Sequence, residues 1–433
     1  MKNETIKKGM ITLSKKLFPI CRSITGNGLR QTLNIIQEHI PIKIFEVPSG
    51  TKVFDWSIPR EWNIRDAYIK DSKGKKIIDF KKSNLHVVGY SVPVKKKMPF
   101  NGLREHLHYI PEKPKWIPYI TSYYKEEWGF CLSYEQYKKL KNGVYEVNID
   151  SELKTGALSY GELFIPGKVK DEILLTTYVC HPSLANDNLS GALLLTFLAE
   201  TITEASRKYS YRFLFVPETI GAIAWIAKNQ EKLKNIKYGL VATCVGDRGS
   251  YTYKKTRAGD SYLDRVVMNV LKNSGEQHTI VDFFPAGSDE RQFSSPGINL
   301  PMGSLMRTMY GKFPEYHTSA DNLDFISPES LLGSYEHYRD IIYVLENDGY
   351  YLNLNPKCEP MLGNRGLYNV GKKPECSEEE EIALRWVLNF SDGRHSLLDI
   401  SNKSGINFRI IKRVADRLIK SDLLKETLDF TKK

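Results

Sequence analysis

The stretch Leu174-Leu-Thr-Thr-Tyr-Val-Cys-His181-Pro-Ser-Leu-Ala-Asn-Asp187-Asn-Leu-Ser-Gly191 decides how the chain is read. Its first half is an apolar run bounded by polar residues, which predicts a buried strand over 172–179. That strand delivers a histidine at its C-terminal end, and Asp187 follows at the mouth of a helix predicted over 190–202. A second buried run, Tyr211-Arg-Phe-Leu-Phe-Val-Pro-Glu218, ends on a carboxylate. A helix over 220–233 and a strand over 238–245 are predicted after it. Strands alternating with helices imply a largely parallel sheet covered by helices, the α/β class. Ligands in such sheets gather at the C-terminal ends of strands, where His181 and Glu218 stand. Far downstream, Tyr316-His-Thr-Ser-Ala-Asp321 adds His317. A divalent cation needs neutral imidazoles and carboxylates converging from several segments, and hydrolysis needs one more carboxylate to take a proton from water. Taken singly, each residue has a plainer reading: Asp187 and Glu218 as helix caps, His181 as a hydrogen-bonded histidine at a strand end. Their placement on successive turns of one sheet points to a metal site.

Working outward, residues 1–48 read as two helices and a strand, with Ile6, Met10, Leu13 and Leu17 on one side of the first helix. Between about 50 and 160 aromatics and prolines crowd short alternating runs, which predicts short β-strands separated by turns. The expected organisation is a discontinuous α/β domain over 1–49 and 160–355, a β-rich insertion over 50–159, and a linker with a small helical domain over 356–433. The linker holds Pro360, Gly363, Gly366, Gly371 and Pro374. The chain has 433 residues, room for two or three domains, and its net charge of +11 is diluted over that length. Charge alone therefore names no partner. The N-terminus lacks an apolar signal core and no run reaches membrane-span length, so a cytoplasmic protein with no membrane partner is expected. The dispersed cysteines, without a CxxC pair, suit a reducing compartment and disfavour a zinc–thiolate module.

Residues 165–345 resemble the zinc-dependent aminopeptidase family, whose catalytic domain is a mixed sheet between helices. The resemblance rests on His181, on Asn186-Asp-Asn-Leu-Ser-Gly191, on Glu218 before Gly221, on Ser288-Asp289 with Phe293 and Gly297-Ile298, and on Tyr316-His-Thr318. It implies metal ligands at His181, Asp187 and His317, and Glu218 as the general base or else as a fourth ligand. Two departures stand out. Where that family has adjacent glutamates, this chain reads Glu218-Thr219. Where it has an aspartate after the next strand, the position falls on Thr243, with Asp247 displaced into the turn. Each of two metals would lose its private carboxylate, so the resemblance implies one zinc, held by three protein ligands. Tyr316 is then a candidate for stabilising the oxyanion. Asp289 is a candidate for orienting His317 or a substrate amine, or else it caps Glu290-Arg-Gln-Phe293.

The whole-chain pattern, with Cys21-Arg-Ser-Ile-Thr-Gly26, Phe54-Asp-Trp56 and Trp62-Asn-Ile-Arg-Asp66, resembles a bacterial group linked with surface-polysaccharide biosynthesis. That resemblance implies a substrate wall built from Arg22, Asp55, Trp56, Arg65 and Trp128, although tryptophans of a small β-domain also serve as its core. The implied activity is cleavage of an amide bond in a small peptide or an amide-bearing sugar intermediate. At the C-terminus, Ser377-Glu-Glu-Glu-Glu381 starts a helix over 382–390, and Gly405-Ile-Asn407 makes the turn before a helix over 408–421, a winged helix-turn-helix pattern. Arg409, Arg413, Arg417 and Lys420 form a basic stripe on that helix, so the alternative is a nucleic-acid-binding or ligand-sensing regulator acting through 377–433 with a degenerate hydrolase domain. The acids of this region nearly cancel the stripe, whereas a strong phosphate binder is lopsided. A structural or dimer-forming winged helix, and hence a homo-oligomer, fits as well.

Overall fold

The computed structural model describes residues 3–204, 206–367 and 377–427; Gly371 and Pro374 of the expected linker lie outside them. The chain divides into two compact units, residues 1–259 with 279–335, and residues 260–278 with 336–433.

An eight-stranded mixed sheet organises the first unit, in the order Lys43–Pro48, Ala157–Ile165, Ser210–Val216, Glu172–Tyr178, Ile236–Ala242, Met302–Met306, Tyr251–Lys254 and His278–Val281. The four central strands, from Ser210–Val216 to Met302–Met306, run parallel, and antiparallel strands close both sides. Side chains of Glu172–Tyr178 and Ser210–Val216 are buried along their whole length, as central strands covered on both faces require. Leu174, Tyr178, Leu214 and Val216 share one core with Ile220, Ile223 and Ile226 of the helix Ile220–Lys228. Thr177, on the opposite face because strand side chains alternate, meets the turn that opens the helix Ser190–Glu204. Gly191 starts that helix against the sheet: a Cβ there would stand 2.3 Å from the Ala242 carbonyl and 2.6 Å from Thr177 Oγ1. Only glycine permits so close an approach.

Two predicted elements are corrected. The helix expected over 220–233 is two, Ile220–Lys228 and Gln230–Leu233, because Asn229 leaves helical geometry and its amide caps the Trp225 carbonyl at 2.8 Å. The strand expected to reach Val245 ends at Ala242, since Thr243–Val245 bend into the loop below the site, with Cys244 at φ 51°. The β-rich stretch is less fragmented than its sequence suggests. It holds a four-stranded sheet, ordered Lys76–Asp79, Glu61–Lys70, Val144–Lys154 and Val94–Pro99, whose two long middle strands bury Ala67, Ile69, Tyr145, Val147 and Ile149.

The second unit packs helices Glu378–Phe390, Leu397–Ser404 and Phe408–Lys420 with a three-stranded antiparallel sheet of Asp392–Ser396, Tyr350–Asn353 and Leu424–Thr427. Gly405, at φ 72°, makes the tight turn between the last two helices. Phe408, Ile411, Val414 and Leu418 point into this unit's core. The helix Tyr262–Ser274 belongs here too: Arg265 meets Asp399 at 3.0 Å, and Asn269 donates to Ser401 at 3.0 Å. Among the described residues no helix is long and apolar enough to cross a membrane.

Candidate metal and active site

The three residues expected to hold a metal converge. His181 follows the end of Glu172–Tyr178, Asp187 sits in the irregular turn Ala185–Leu189, and His317 lies in the loop before the helix Pro328–Asn347. One ligand atom from each lies within 4.8 Å of the others. Asp187 Oδ2 stands 3.0 Å from His317 Nε2. Both atoms are nevertheless buried without a hydrogen-bond partner. Buried polar atoms left unsatisfied are costly. The chemistry of the set, two imidazoles and one carboxylate, fits zinc.

Each ligand is held from behind. The Asp321 carboxylate accepts the backbone N–H groups of Asn186 at 2.6 Å and Asp187 at 2.9 Å, which fixes the turn. Tyr178 donates its hydroxyl to the other oxygen of Asp187 and also meets Thr243 Oγ1 at 2.7 Å. Such outer partners orient a ligating carboxylate. The His181 carbonyl accepts from Arg22 Nε at 2.9 Å, and that of His317 from the Tyr119 N–H at 2.8 Å. Tyr119 comes from the β-rich stretch, and its ring presents an edge to both imidazoles, 5.2 Å from His181 and 5.3 Å from His317. Thr219 and His317 hold positive φ angles of 62° and 53°. Non-glycine residues persist in such strained geometry where surrounding contacts over-determine it, commonly at functional sites.

Burial lowers the His181 pKa to about 4, outweighing the opposing pull of Asp187. The imidazole is therefore neutral near pH 7, the form that binds metals. For Asp187 burial alone would raise the pKa, but His181, His317 and Tyr178 together bring it to about 2. Glu218 is pushed well above the usual carboxylate range by burial and then by the neighbouring charges of Asp289 and Asp187. Its Oε2 stands 3.6 Å from His181 Nε2. His181, Glu218, Thr219, Trp56, Tyr124 and Arg291 are among the residues lining a cavity of about 400 Å³, the size of a small-molecule site.

The remaining expected residues scatter. Trp56 lines this cavity, whereas Asp55 lines a separate one of about 390 Å³ with Trp56 and Phe54. Arg22 is buried behind His181, where it also donates to the Leu17 carbonyl at 2.6 Å, so it braces a ligand and lies behind the cavity wall. Arg65 and Trp128 are not among the lining residues. Arg65 pairs with Asp150 at 2.5 Å on an exposed face, and Trp128 stacks on His106 at 3.6 Å with Lys96 over its ring. Tyr316 stacks on His317 at 4.0 Å. Asp289 makes no side-chain cap; its Oδ1 accepts the Thr219 N–H at 2.7 Å and so braces the turn after Glu218. Asp247 is consumed by Asn186 at 2.9 Å and Thr308 at 2.6 Å. Tyr119, Tyr178, Asp321 and Arg291 were not singled out from the sequence. Tyr178, on the strand that delivers His181, and Asp321, at the end of the 316–321 segment, carried a local signal.

A family model described as "Domain of unknown function (DUF4910)" matches residues 11–348, and one described as "winged helix-turn-helix" matches residues 349–426. A Clostridium acetobutylicum protein is 58% identical over 413 residues, covering 95% of each chain; it carries the provisional name polysaccharide biosynthesis protein with aminopeptidase-like domain. The crystal structure of a C. acetobutylicum protein, provisionally named a peptidase, matches with a TM-score of 0.94 at 56% identity, over 98% of this chain and 97% of that one. A zinc aminopeptidase from Bacillus subtilis matches with a TM-score of 0.59 at 13% identity, over 80% of this chain and 95% of that one, a likeness of fold. The chain therefore belongs to the DUF4910 family, with an aminopeptidase-like α/β domain and a C-terminal winged helix-turn-helix domain.

Proposed function

We propose that this protein is a metal-dependent hydrolase that cleaves an amide bond in a small peptide or an amide-bearing sugar intermediate. The observation that carries the reading is the His181–Asp187–His317 cluster, whose facing Asp187 Oδ2 and His317 Nε2 are buried and unsatisfied, at the edge of a cavity that Glu218 enters. These three residues would hold one zinc, which supplies Lewis acidity for the carbonyl and for water. Glu218 takes the proton from the attacking water and returns it to the leaving amine. Burial raises the basicity of the Glu218 carboxylate above that of an exposed glutamate, so in its ionised form it is the stronger proton acceptor. Tyr316 stands beside His317 to support the developing oxyanion, and Trp56 and Tyr124 flank the substrate's body. The name of the Clostridium relative favours a sugar intermediate. The five described cysteines are free thiols, which suits the cytoplasm.

The regulator reading is not favoured. In the second unit Arg409 is tied to Asp340 at 2.5 Å, and Arg413 and Arg417 both meet Glu380, so three of the four stripe cations already have partners. The test is the Glu218→Gln variant. It should retain zinc, measured by elemental analysis, at the wild-type ratio while losing hydrolysis of aminoacyl anilides and N-acylated amino sugars. A wild-type protein that holds no zinc after incubation and desalting would overturn the proposal.

A further inference from the structure

Arg291 takes no part in that chemistry, yet it lines the same cavity, from the second position of the short helix Glu290–Phe293. One guanidinium nitrogen donates to Thr219 Oγ1 at 2.9 Å, and Nε is buried with no hydrogen-bond partner. Among the described residues Arg291 forms no ion pair within 4.0 Å. Other arginines of the first unit are placed differently: Arg212 is clasped by Glu162 and Glu172, and Arg30 by Glu46 and Glu61. In direct contact the guanidinium meets only a hydroxyl, and the Glu218 and Asp289 carboxyls act on it through longer-range charge, so its fork is left without a paired carboxylate. Its planar fork matches a carboxylate. Across the cavity Trp56 and Tyr124 stand edge to face at 5.5 Å, with 42% and 50% of their surfaces exposed, large rings left for a flat or apolar body to cover.

We infer that Arg291 determines specificity by binding a carboxylate of the substrate, so that the molecule cleaved is a small carboxylate-bearing amide whose body packs on Trp56 and Tyr124. The inference rests on the hydrolase reading for its cleavage step, and on Arg291 and the cavity for its recognition step.

The test is calorimetric titration of the zinc-loaded full chain with two hydroxamates of equal size, succinic acid monohydroxamate and its neutral primary amide. Charge-assisted hydrogen bonds predict that the carboxylate probe binds roughly 10- to 100-fold more tightly. In Arg291→Gln that ratio should fall to about 1 while the neutral probe binds as before, and Arg291→Lys should keep part of the preference. A wild-type ratio near 1, a preference that survives in Arg291→Gln, or an equal loss of both probes in that variant would each overturn the inference and leave the hydrolase reading standing. If neither hydroxamate binds the wild type, the hydrolase reading fails instead. Glutarate, titrated into metal-free protein, then decides for Arg291 alone: binding that Arg291→Gln abolishes supports recognition, and no binding overturns it.

Discussion

Adding zinc to chelator-stripped protein should raise the melting temperature of the first unit by about 6 °C. A ligand that binds only the folded state, at a free concentration a thousand times its Kd, stabilises by about 4 kcal/mol. The first unit spans residues 1–259 and 279–335. At roughly 2 cal/mol/K per residue its unfolding entropy is on the order of 0.65 kcal/mol/K, and the quotient is about 6 °C. His317 is far in sequence from His181 and Asp187, so the full set exists only when the chain is folded and little of this gain is lost to binding by the unfolded chain. Differential scanning calorimetry with and without a slight excess of zinc reads the shift. Asp187→Asn removes the anionic ligand whose Oδ2 faces His317, and its shift should fall below about 1 °C. Glu218→Gln should keep the full shift, because Glu218 serves as base and the three ligands remain. A zinc shift as large in Asp187→Asn as in the wild type would refute the ligand assignment. No shift in the wild type would refute the metal site itself.

Tyr178→Phe removes the hydroxyl that joins Asp187 to Thr243, and should weaken zinc affinity about 10- to 100-fold in competition titrations. An unchanged affinity would show that this hydroxyl does not orient the ligand. Arg212→Met strands Glu162 and Glu172, each under a tenth exposed, and should cost about 3–5 kcal/mol in urea unfolding; a loss under 1 kcal/mol would count against the buried cluster as described. Glu61, hydrogen-bonded by Arg30 against the opposing effect of burial, has its pKa lowered from 4.5 to about 2. A depressed carboxylate stabilises the fold above its unfolded pKa and loses that contribution as pH falls through the folded one. The stability gap between wild type and Glu61→Gln should therefore be full above about pH 4.5 and close towards pH 2; a gap that does not vary with pH would contradict it.

Local chemistry made much of this legible from the chain alone. An apolar run that stops at His181, and another that stops at Glu218, mark strand ends because burial and backbone period act over a few residues. The order of those ends placed both groups at one edge of a parallel sheet. The helix-turn-helix was legible for the same reason, from Gly405 and from the spacing of Ile411, Val414 and Leu418. Tertiary structure alone decided what surrounds the ligands. Tyr119 stands over both imidazoles because residues 117–119 run beside 317–319, with hydrogen bonds between Ile117 and Ser319, a pairing across some two hundred residues that no local pattern encodes. Arg65 and Trp128 have the chemistry of a substrate wall, but within their own region Arg65 pairs with Asp150 and Trp128 stacks on His106. Arg291 is an ordinary helix arginine until the fold brings Thr219 to it and leaves its Nε buried without a partner. Residue type and period set which groups are available at a strand end; which of them meet depends on packing between segments distant in sequence.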